Sequence, residues 1–131
     1  MADYHGTARS NYFRVKDKQK FIEWCTSLEL EPIYEIDEVT RDTLCGFIAN
    51  TGNGAVPTHR NDEEFDFFSE LSTHLADEEV GIVIEVGAEK MRYISGFADA
   101  VNSKGEVVSV CLDDIYKKAA KLGNNMTEAA Y

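Results

Sequence analysis

Residues 80–112 read VGIVIEVGAEKMRYISGFADAVNSKGEVVSVCL, three apolar runs separated by short polar connections. The runs 80–86, 91–101 and 106–112 are typical of strands, and we predict that they form an antiparallel meander. The connection 102–105 ends in the glycine that a tight hairpin favours where one residue must adopt a left-handed conformation. Beyond it, Val108, Val110 and Leu112 share one face of the third strand.

Upstream of the meander, the sequence predicts a strand, a helix and two more strands. Apolar and basic residues alternate over 12–16, which is the pattern of a half-buried strand. Asp17 is a suitable N-cap for a helix over 18–28. Strands over 32–36 and 44–49 follow this helix. Four apolar side chains recur at the i, i+3, i+4, i+7 spacing of one helix face: Phe21, Trp24, Cys25 and Leu28.

Two further helices complete the pattern. Asn61 caps a helix predicted over 62–76, whose first turn places acidic residues at the positive end of the dipole. Asp113 or Asp114 starts a third helix that runs to about residue 122. The order β-α-β-β-α-β-β-β-α predicts an α+β fold, a mainly antiparallel sheet with three helices that cover one face. The inward side chains of the third helix are expected to be Ile115, Ala119 and Leu122.

Length and composition indicate one domain. A chain of 131 residues has the usual size of a single domain, and a hydrophobic content of 44% argues against disorder. We predict a flexible N-terminal arm over 1–10, a single α+β domain over 11–123 and a frayed tail over 124–131. No run approaches the roughly 20 apolar residues of a membrane span, and the N-terminus lacks a signal-peptide pattern, so we expect a cytoplasmic protein.

The charge of the chain is strongly negative and unevenly distributed. Its 24 acidic and 13 basic side chains give a formal net charge of −11. This balance excludes a general nucleic-acid binder, which needs clustered Lys and Arg to neutralise phosphates. Residues 1–20 carry five basic groups and two acids, whereas residues 21–99 carry four basic groups and 18 acids. The negative excess is therefore concentrated in the middle of the chain.

The predicted helix over 62–76 places much of this excess on one side. At 100° per residue its apolar side chains lie on one side and its acids on the other. Like charges at this spacing cost an isolated helix about 0.2–0.5 kcal/mol per pair, and no cation at helical spacing offsets them. The stripe is either a solvated face that keeps the protein soluble or a binding surface for a basic partner. The candidate partner-binding residues are Glu63, Asp66, Glu70, Asp77, Glu78 and Glu79.

The cysteines and histidines give no pattern of a metal or cofactor site. Cys25, Cys45 and Cys111 lack metal-ligand spacing and are expected to be reduced and buried. No two of the three histidines are three or four residues apart, so no helical metal site is predicted. His74 lies near the apolar side of its helix and is expected to be partly buried. We accordingly predict no catalytic residue, no metal and no cofactor.

The loop over 50–60 is the basis of an alternative function. Its glycines lack the spacing of a P-loop or of a dinucleotide-binding turn. His59 at its end is able to act as a general base beside a carboxylate. A small enzyme or ligand-binding domain, with its site at the loop 50–60 around His59, is therefore the alternative to a binding protein. Asp113 and Asp114 are better explained as helix caps than as ligands of Mg²⁺.

In size, in acidity and in the acidic stretch 62–79, the chain resembles the small phage- or plasmid-encoded inhibitors of host defence, the anti-CRISPR and anti-restriction proteins. The resemblance is one of general character and involves no shared motif. It implies a non-enzymatic inhibitor that occupies a basic, nucleic-acid-binding surface of a host protein or complex, with carboxylates in place of phosphates. No direct contact with nucleic acid or membrane is expected. Segregation of the basic N-terminus from the acidic middle also allows a homodimer.

Overall fold

The computed structural model describes residues 4–49, 54–89 and 93–129, and the loop residues 50–53 and the predicted strand start at Met91 lie outside these ranges. The helices within them are α1 (Lys18–Ser27), α2 (Phe67–His74) and α3 (Asp114–Ala119). The strands are β1 (Tyr4–Ser10), β2 (Glu31–Ile36), β3 (Thr43–Ala49), β4 (His59–Arg60), β5 (Glu63–Glu64), β6 (Val80–Glu89), β7 (Tyr93–Asn102) and β8 (Val107–Cys111).

Six of the strands form one antiparallel sheet in the order β2-β3-β1-β6-β7-β8. β6, β7 and β8 pair in sequence order, which confirms the predicted meander. Together with the three helices of the described ranges, this sheet confirms the predicted α+β fold. None of these helices is long and apolar enough to cross a lipid bilayer.

The core lies between one face of the sheet and the helices α1 and α2. The carboxylate of Asp17 accepts a hydrogen bond from the Lys20 backbone N–H at 3.1 Å, so the predicted cap begins α1. The Trp24 ring of α1 lies 5.2 Å from the Phe67 ring of α2 and 6.3 Å from the Phe47 ring of β3. These aromatic contacts fix the helices on the sheet. The largest fully buried side chains include Phe13, Phe21, Phe47, Leu71, Leu75 and Val101.

The N-terminal segment differs from the predicted flexible arm. Residues 4–10 form β1, an inner strand that pairs with β6 over its whole length and with β3 at Ala8 and Arg9. Pairing with β6 along the whole strand, and with β3 at its C-terminal end, outweighs the lack of a hydrophobic pattern, because backbone hydrogen bonds hold a strand in a sheet whatever its side chains. Residues 12–16, predicted as a strand, make only isolated bridges, from Phe13 to Cys45 and from Val15 to Leu75.

The helix predicted over 62–76 is also wrong at its start. α2 begins at Phe67, after Asp66, whose carboxylate accepts a hydrogen bond from the Ser69 backbone N–H at 3.1 Å. Residues 59–64 instead form the hairpin β4-β5, with Asn61 and Asp62 at φ 54° and 65°. Two successive residues with positive φ make a type I′ turn, and Asn and Asp tolerate that conformation better than most residues. The preference of Asn61 and Asp62 for a tight turn therefore outweighs the helical periodicity of the residues that follow.

The third helix was predicted to pack inward, and this was wrong. α3 buries none of its residues, and Ile115 and Leu122 are 57% and 90% exposed. Because α3 follows β8, at the edge of the sheet, α1 and α2 do not cover it. Asp113 occupies the N-cap position without a side-chain cap, while the Asp114 carboxylate accepts a hydrogen bond from the Cys111 N–H at 3.0 Å. Cys111, predicted to be buried, is exposed.

Candidate functional site

The six candidate partner-binding residues do not form one helix face. Glu63 lies in β5 and Asp66 caps α2, whereas Asp77, Glu78 and Glu79 follow the helix. With their acidic neighbours they make two groups at opposite ends of α2. We call them the N-terminal acidic group (Asp62, Glu63, Glu64 and Asp66) and the C-terminal acidic group (Asp77, Glu78 and Glu79). The eight residues of α2 separate them by about 12 Å of helix rise.

Glu70, between the two groups, is held by contacts within the chain. Its carboxylate accepts two hydrogen bonds from the Arg60 guanidinium, at 2.9 and 2.6 Å, and one from Trp24 Nε1 at 2.9 Å. The Arg60 guanidinium and the Trp24 N–H together lower the pKa of Glu70. Glu70 therefore joins the β4-β5 hairpin to the helices. Arg60 gives no signal at helical spacing, because it precedes Glu70 by ten residues and the β4-β5 hairpin places it beside α2.

Glu79 is also engaged within the chain. One of its carboxylate oxygens accepts a hydrogen bond from the Arg14 backbone N–H at 2.7 Å, and the other lies 3.7 Å from the Arg14 guanidinium. The same guanidinium contacts the carboxylates of Asp37 at 3.2 Å and Asp42 at 3.0 Å. Arg14 thus ties the segment after α2 to the turn between β2 and β3. Glu79 is better explained as part of this network than as a contact for a partner.

The other four candidates, Glu63, Asp66, Asp77 and Glu78, are exposed. Asp66 uses one carboxylate oxygen as the cap of α2, which leaves its other oxygen to solvent. Glu78 has φ 70°, so the chain turns sharply where it leaves the helix. Arg60 and Arg14 are both committed to carboxylates of their own chain. The exposed Lys16 lies beside the end of α2, where its backbone N–H donates a hydrogen bond to the His74 carbonyl at 2.9 Å. In the described residues, exposed acids still outnumber exposed cations at both ends of α2.

The β4-β5 hairpin presents the N-terminal acidic group. Its two-residue turn places Asp62 at the tip, directly before Glu63 and Glu64. Arg60 precedes the turn. Its guanidinium lies 4.6 Å from the centre of the Phe65 ring and donates hydrogen bonds to the Glu70 carboxylate. One cation thus anchors the hairpin on the protein side while the acids face outward. The contacts of Arg60 with Glu70 and Phe65 thus hold the β4-β5 hairpin against α2.

His59 lies across the β4-β5 hairpin from the acidic residue Glu64. It is exposed in β4, where its Nδ1 lies 2.9 Å from the Thr58 hydroxyl and its backbone is in register with Glu64. A cavity of about 570 Å³ lies beside this hairpin, but His59 is not among its lining residues. That cavity is lined by Val56, Thr58, Glu64, Phe65, Asp66, Phe67 and Phe68.

His74 is a half-buried core histidine, as predicted. Its ring centre lies 4.9 Å from that of Trp24 and 6.1 Å from that of Phe21. Burial lowers its pKa, against the opposing effect of the nearby Glu70 carboxylate. The contacts identify His74 as a packing residue between α2 and α1.

The cysteines divide into two buried thiols and one exposed thiol. Burial raises the pKa of Cys25 to about 12 and raises that of Cys45 as well, so both thiols stay protonated at neutral pH. This agrees with their prediction as buried apolar side chains. In the part of the chain that the structure describes, no three His, Cys, Asp or Glu side chains come together as a metal site.

Sequence reasoning missed a second surface, the face of β6, β7 and β8 that points away from the helices. The prediction that Val108, Val110 and Leu112 share one face is correct, but they are 72%, 57% and 55% exposed. A signal was present in the sequence, because β6 and β8 are apolar at nearly every position and only one face of a sheet was predicted to be covered.

Comparison of the chain with protein families, curated proteins and solved structures gave no match.

Proposed function

We propose that this chain is a non-enzymatic binding protein that recognises a basic surface of another protein through the exposed members of the two acidic groups at the ends of α2. One observation carries the proposal: after Arg60 and Arg14 are assigned to their partners, Glu63, Asp66, Asp77 and Glu78 still face solvent. Complementary charge of this kind accelerates encounter and selects the partner more than it adds raw affinity.

The spacing of the two groups supports a surface that normally binds nucleic acid as the target. One strand of duplex DNA carries a phosphate about every 3.4 Å along the axis. α2 alone rises about 12 Å, which equals the axial rise of three to four phosphates of one strand. A row of Lys and Arg side chains arranged for such a strand would meet carboxylates at both ends of α2.

The resemblance in size and acidity to anti-CRISPR and anti-restriction proteins extends this proposal to a biological role. In that role the protein, encoded by a mobile element and acting in the cytoplasm, occupies the DNA-binding surface of a host-defence nuclease or surveillance complex. Inhibition then needs only stoichiometric binding, since DNA and the inhibitor compete for one surface. No chemical step by this chain is required.

Charge reversal with a matched control tests the proposal. Glu63, Asp77 and Glu78 are the best positions, because reversing Glu70 would break its pair with Arg60 and reversing Asp66 would remove the cap of α2. The control reverses three exposed acids elsewhere, Glu23, Glu38 and Glu128, which changes the net charge equally. All six residues are changed to Lys, three in each variant. The two variants and the wild type are then each used to capture proteins from host lysate at low salt.

We expect the wild type and the control to retain the same nucleic-acid-binding protein, and the Glu63, Asp77 and Glu78 variant to lose it. Capture should also weaken steeply between about 50 and 200 mM salt, because the contact is between exposed charges. Equal capture by both triple variants would contradict the proposal. Loss of activity on His59→Ala alone would instead favour a site at the loop 50–60.

A further inference from the structure

The outer face of the meander is apolar and uncovered. Along β6, Gly81, Val83 and Glu85 are buried toward the helices, and the residues between them point to the opposite face and are exposed. Strand register aligns Ile84 of β6 with Ala98 of β7, and Ala98 with Val110 of β8. From Ile82 onward, the large side chains of this outer face in the described residues are Ile82, Ile84, Val86, Ile94, Val108, Val110 and Leu112.

The outer face is uneven as well as apolar, because small side chains lie between larger ones. β7 contributes the small residues Gly96, Ala98 and Ala100, whereas β6 and β8 contribute branched side chains on either side. A trough therefore runs past Ala98 and Ala100 between two ridges, and it ends at Gly96, which the Leu112 side chain covers. It encloses a cavity of about 210 Å³, with walls that include Ile84 and Val86 on one side and Val110 and Leu112 on the other.

The area of the outer face is that of a protein interface. Its seven large side chains are between 37% and 72% exposed and together present about 700 Å² to solvent. The largest apolar patch of a typical monomer is about 300–600 Å². Each partner in a standard interface contributes about 800 Å², so this face is close to the size that a stable dimer requires.

The charge pattern separates the outer face from the acidic groups. None of the outward residues of β6, β7 and β8 between Ile82 and Leu112 in the described ranges is charged, although the chain carries a net charge of −11. The exposed Arg9 of β1, in register with Ile84, is a cation at the border of this face. α2 packs on the other side of the sheet, where Leu71 and Leu75 lie against Gly81. Two copies joined by their outer faces would therefore not bring their acidic groups together.

We propose that a second copy of this chain covers the outer face, in a symmetric dimer in which the β8 ridge of each copy lies in the β7 trough of the other. Ridge and trough are neighbours on one surface, so the surface is self-complementary, which a two-fold interface requires. Homodimer interfaces are also the most apolar class and lack charge at their centre. The dimer leaves both acidic surfaces exposed, and it does not depend on their proposed function.

Sedimentation velocity between about 1 and 100 μM chain tests the proposal. We expect the wild type to sediment with twice the 14.7 kDa mass of the chain. Val110→Lys should give a monomer, because an ammonium group buried without a partner in an apolar interface is strongly unfavourable. The matched control is Val107→Lys, an exposed valine on the opposite face of β8, which should remain a dimer. Circular dichroism checks that both variants stay folded.

A second variant tests, without adding a charge, whether the β8 ridge of one copy packs into the β7 trough of the other. Ala98→Leu fills the trough with an apolar side chain, so it should weaken the dimer about tenfold or more while leaving the face hydrophobic. A wild type that stays monomeric to about 100 μM would overturn the proposal. A dimer that survives Val110→Lys would overturn it as well.

Discussion

At the scale of single residues, Glu85 is a carboxylate placed on the covered side of the sheet. It is 7% exposed, and its Oε1 accepts a hydrogen bond from the Val56 backbone N–H at 3.2 Å. Burial raises its pKa, and the nearby Asp99 carboxylate adds to the effect. The folded protein therefore holds this proton more tightly than the unfolded chain does. Folding stability consequently falls as pH rises from the ordinary carboxyl pKa through the raised one.

Glu85→Gln should remove this pH dependence. The amide oxygen still accepts the Val56 hydrogen bond, but the side chain carries no charge that must be desolvated. We expect a higher Tm than the wild type at pH 7.5 and an equal Tm at pH 4, where the wild-type carboxyl is protonated. Thermal unfolding at the two pH values measures this, with the exposed Glu63→Gln as control. A variant less stable than the wild type at pH 7.5 would show that the charge itself is favourable.

Also at this scale, the charge pattern of the sequence does not show which acidic residues are paired within the chain. Glu70 and Glu79 looked unpaired because only helical neighbours were considered, whereas their cations, Arg60 and Arg14, come from a hairpin and from the segment before α1. Pairs that depend on long-range folding leave no periodic signal. Asp17, whose cap needs only local geometry, was predicted correctly.

At the scale of elements, the β4-β5 hairpin is the feature that most changes the predicted site. Asp62→Gly distinguishes the hairpin from the helix predicted over 62–76, since the two have opposite consequences. In a helix, glycine would cost about 0.5–1 kcal/mol. At φ 65° in a type I′ turn, it should stabilise the protein by about 1 kcal/mol, because the left-handed strain of a side chain is removed.

Urea unfolding of Asp62→Gly measures the sign directly. A stabilised variant with an unchanged dependence on urea supports the hairpin. A destabilised one would restore the helical interpretation of residues 62–66. Asp62→Ala serves as the control, because it removes the same charge without relieving the backbone.

Elements with a continuous hydrophobic pattern were predictable, and the others were not. The meander β6-β7-β8 and the helix α1 follow their patterns closely. β1 has no such pattern and is specified by the strands on either side of it, so it was mistaken for an arm. α3 has a pattern but buries none of its residues, which shows that periodicity indicates a helix without ensuring that its apolar side is covered.

At the scale of the whole molecule, the sheet separates two surfaces of different chemistry. The helical side carries the exposed carboxylates at the two ends of α2, and the outer side of the meander is apolar and free of charge in the described residues. Net charge alone does not distinguish this arrangement from a uniformly acidic surface. The separation allows one side to form a dimer while the other side remains open to a basic partner.

Competition with DNA tests the central claim, that the acidic groups occupy a nucleic-acid-binding surface. A fluorescent duplex is bound to the protein captured from host lysate, and its anisotropy is followed as this chain is added at low salt. The wild type and the variant reversed at Glu23, Glu38 and Glu128 should displace the duplex stoichiometrically, and the variant reversed at Glu63, Asp77 and Glu78 should not. Simultaneous binding of duplex and wild-type chain, or equal displacement by both variants, would contradict the claim.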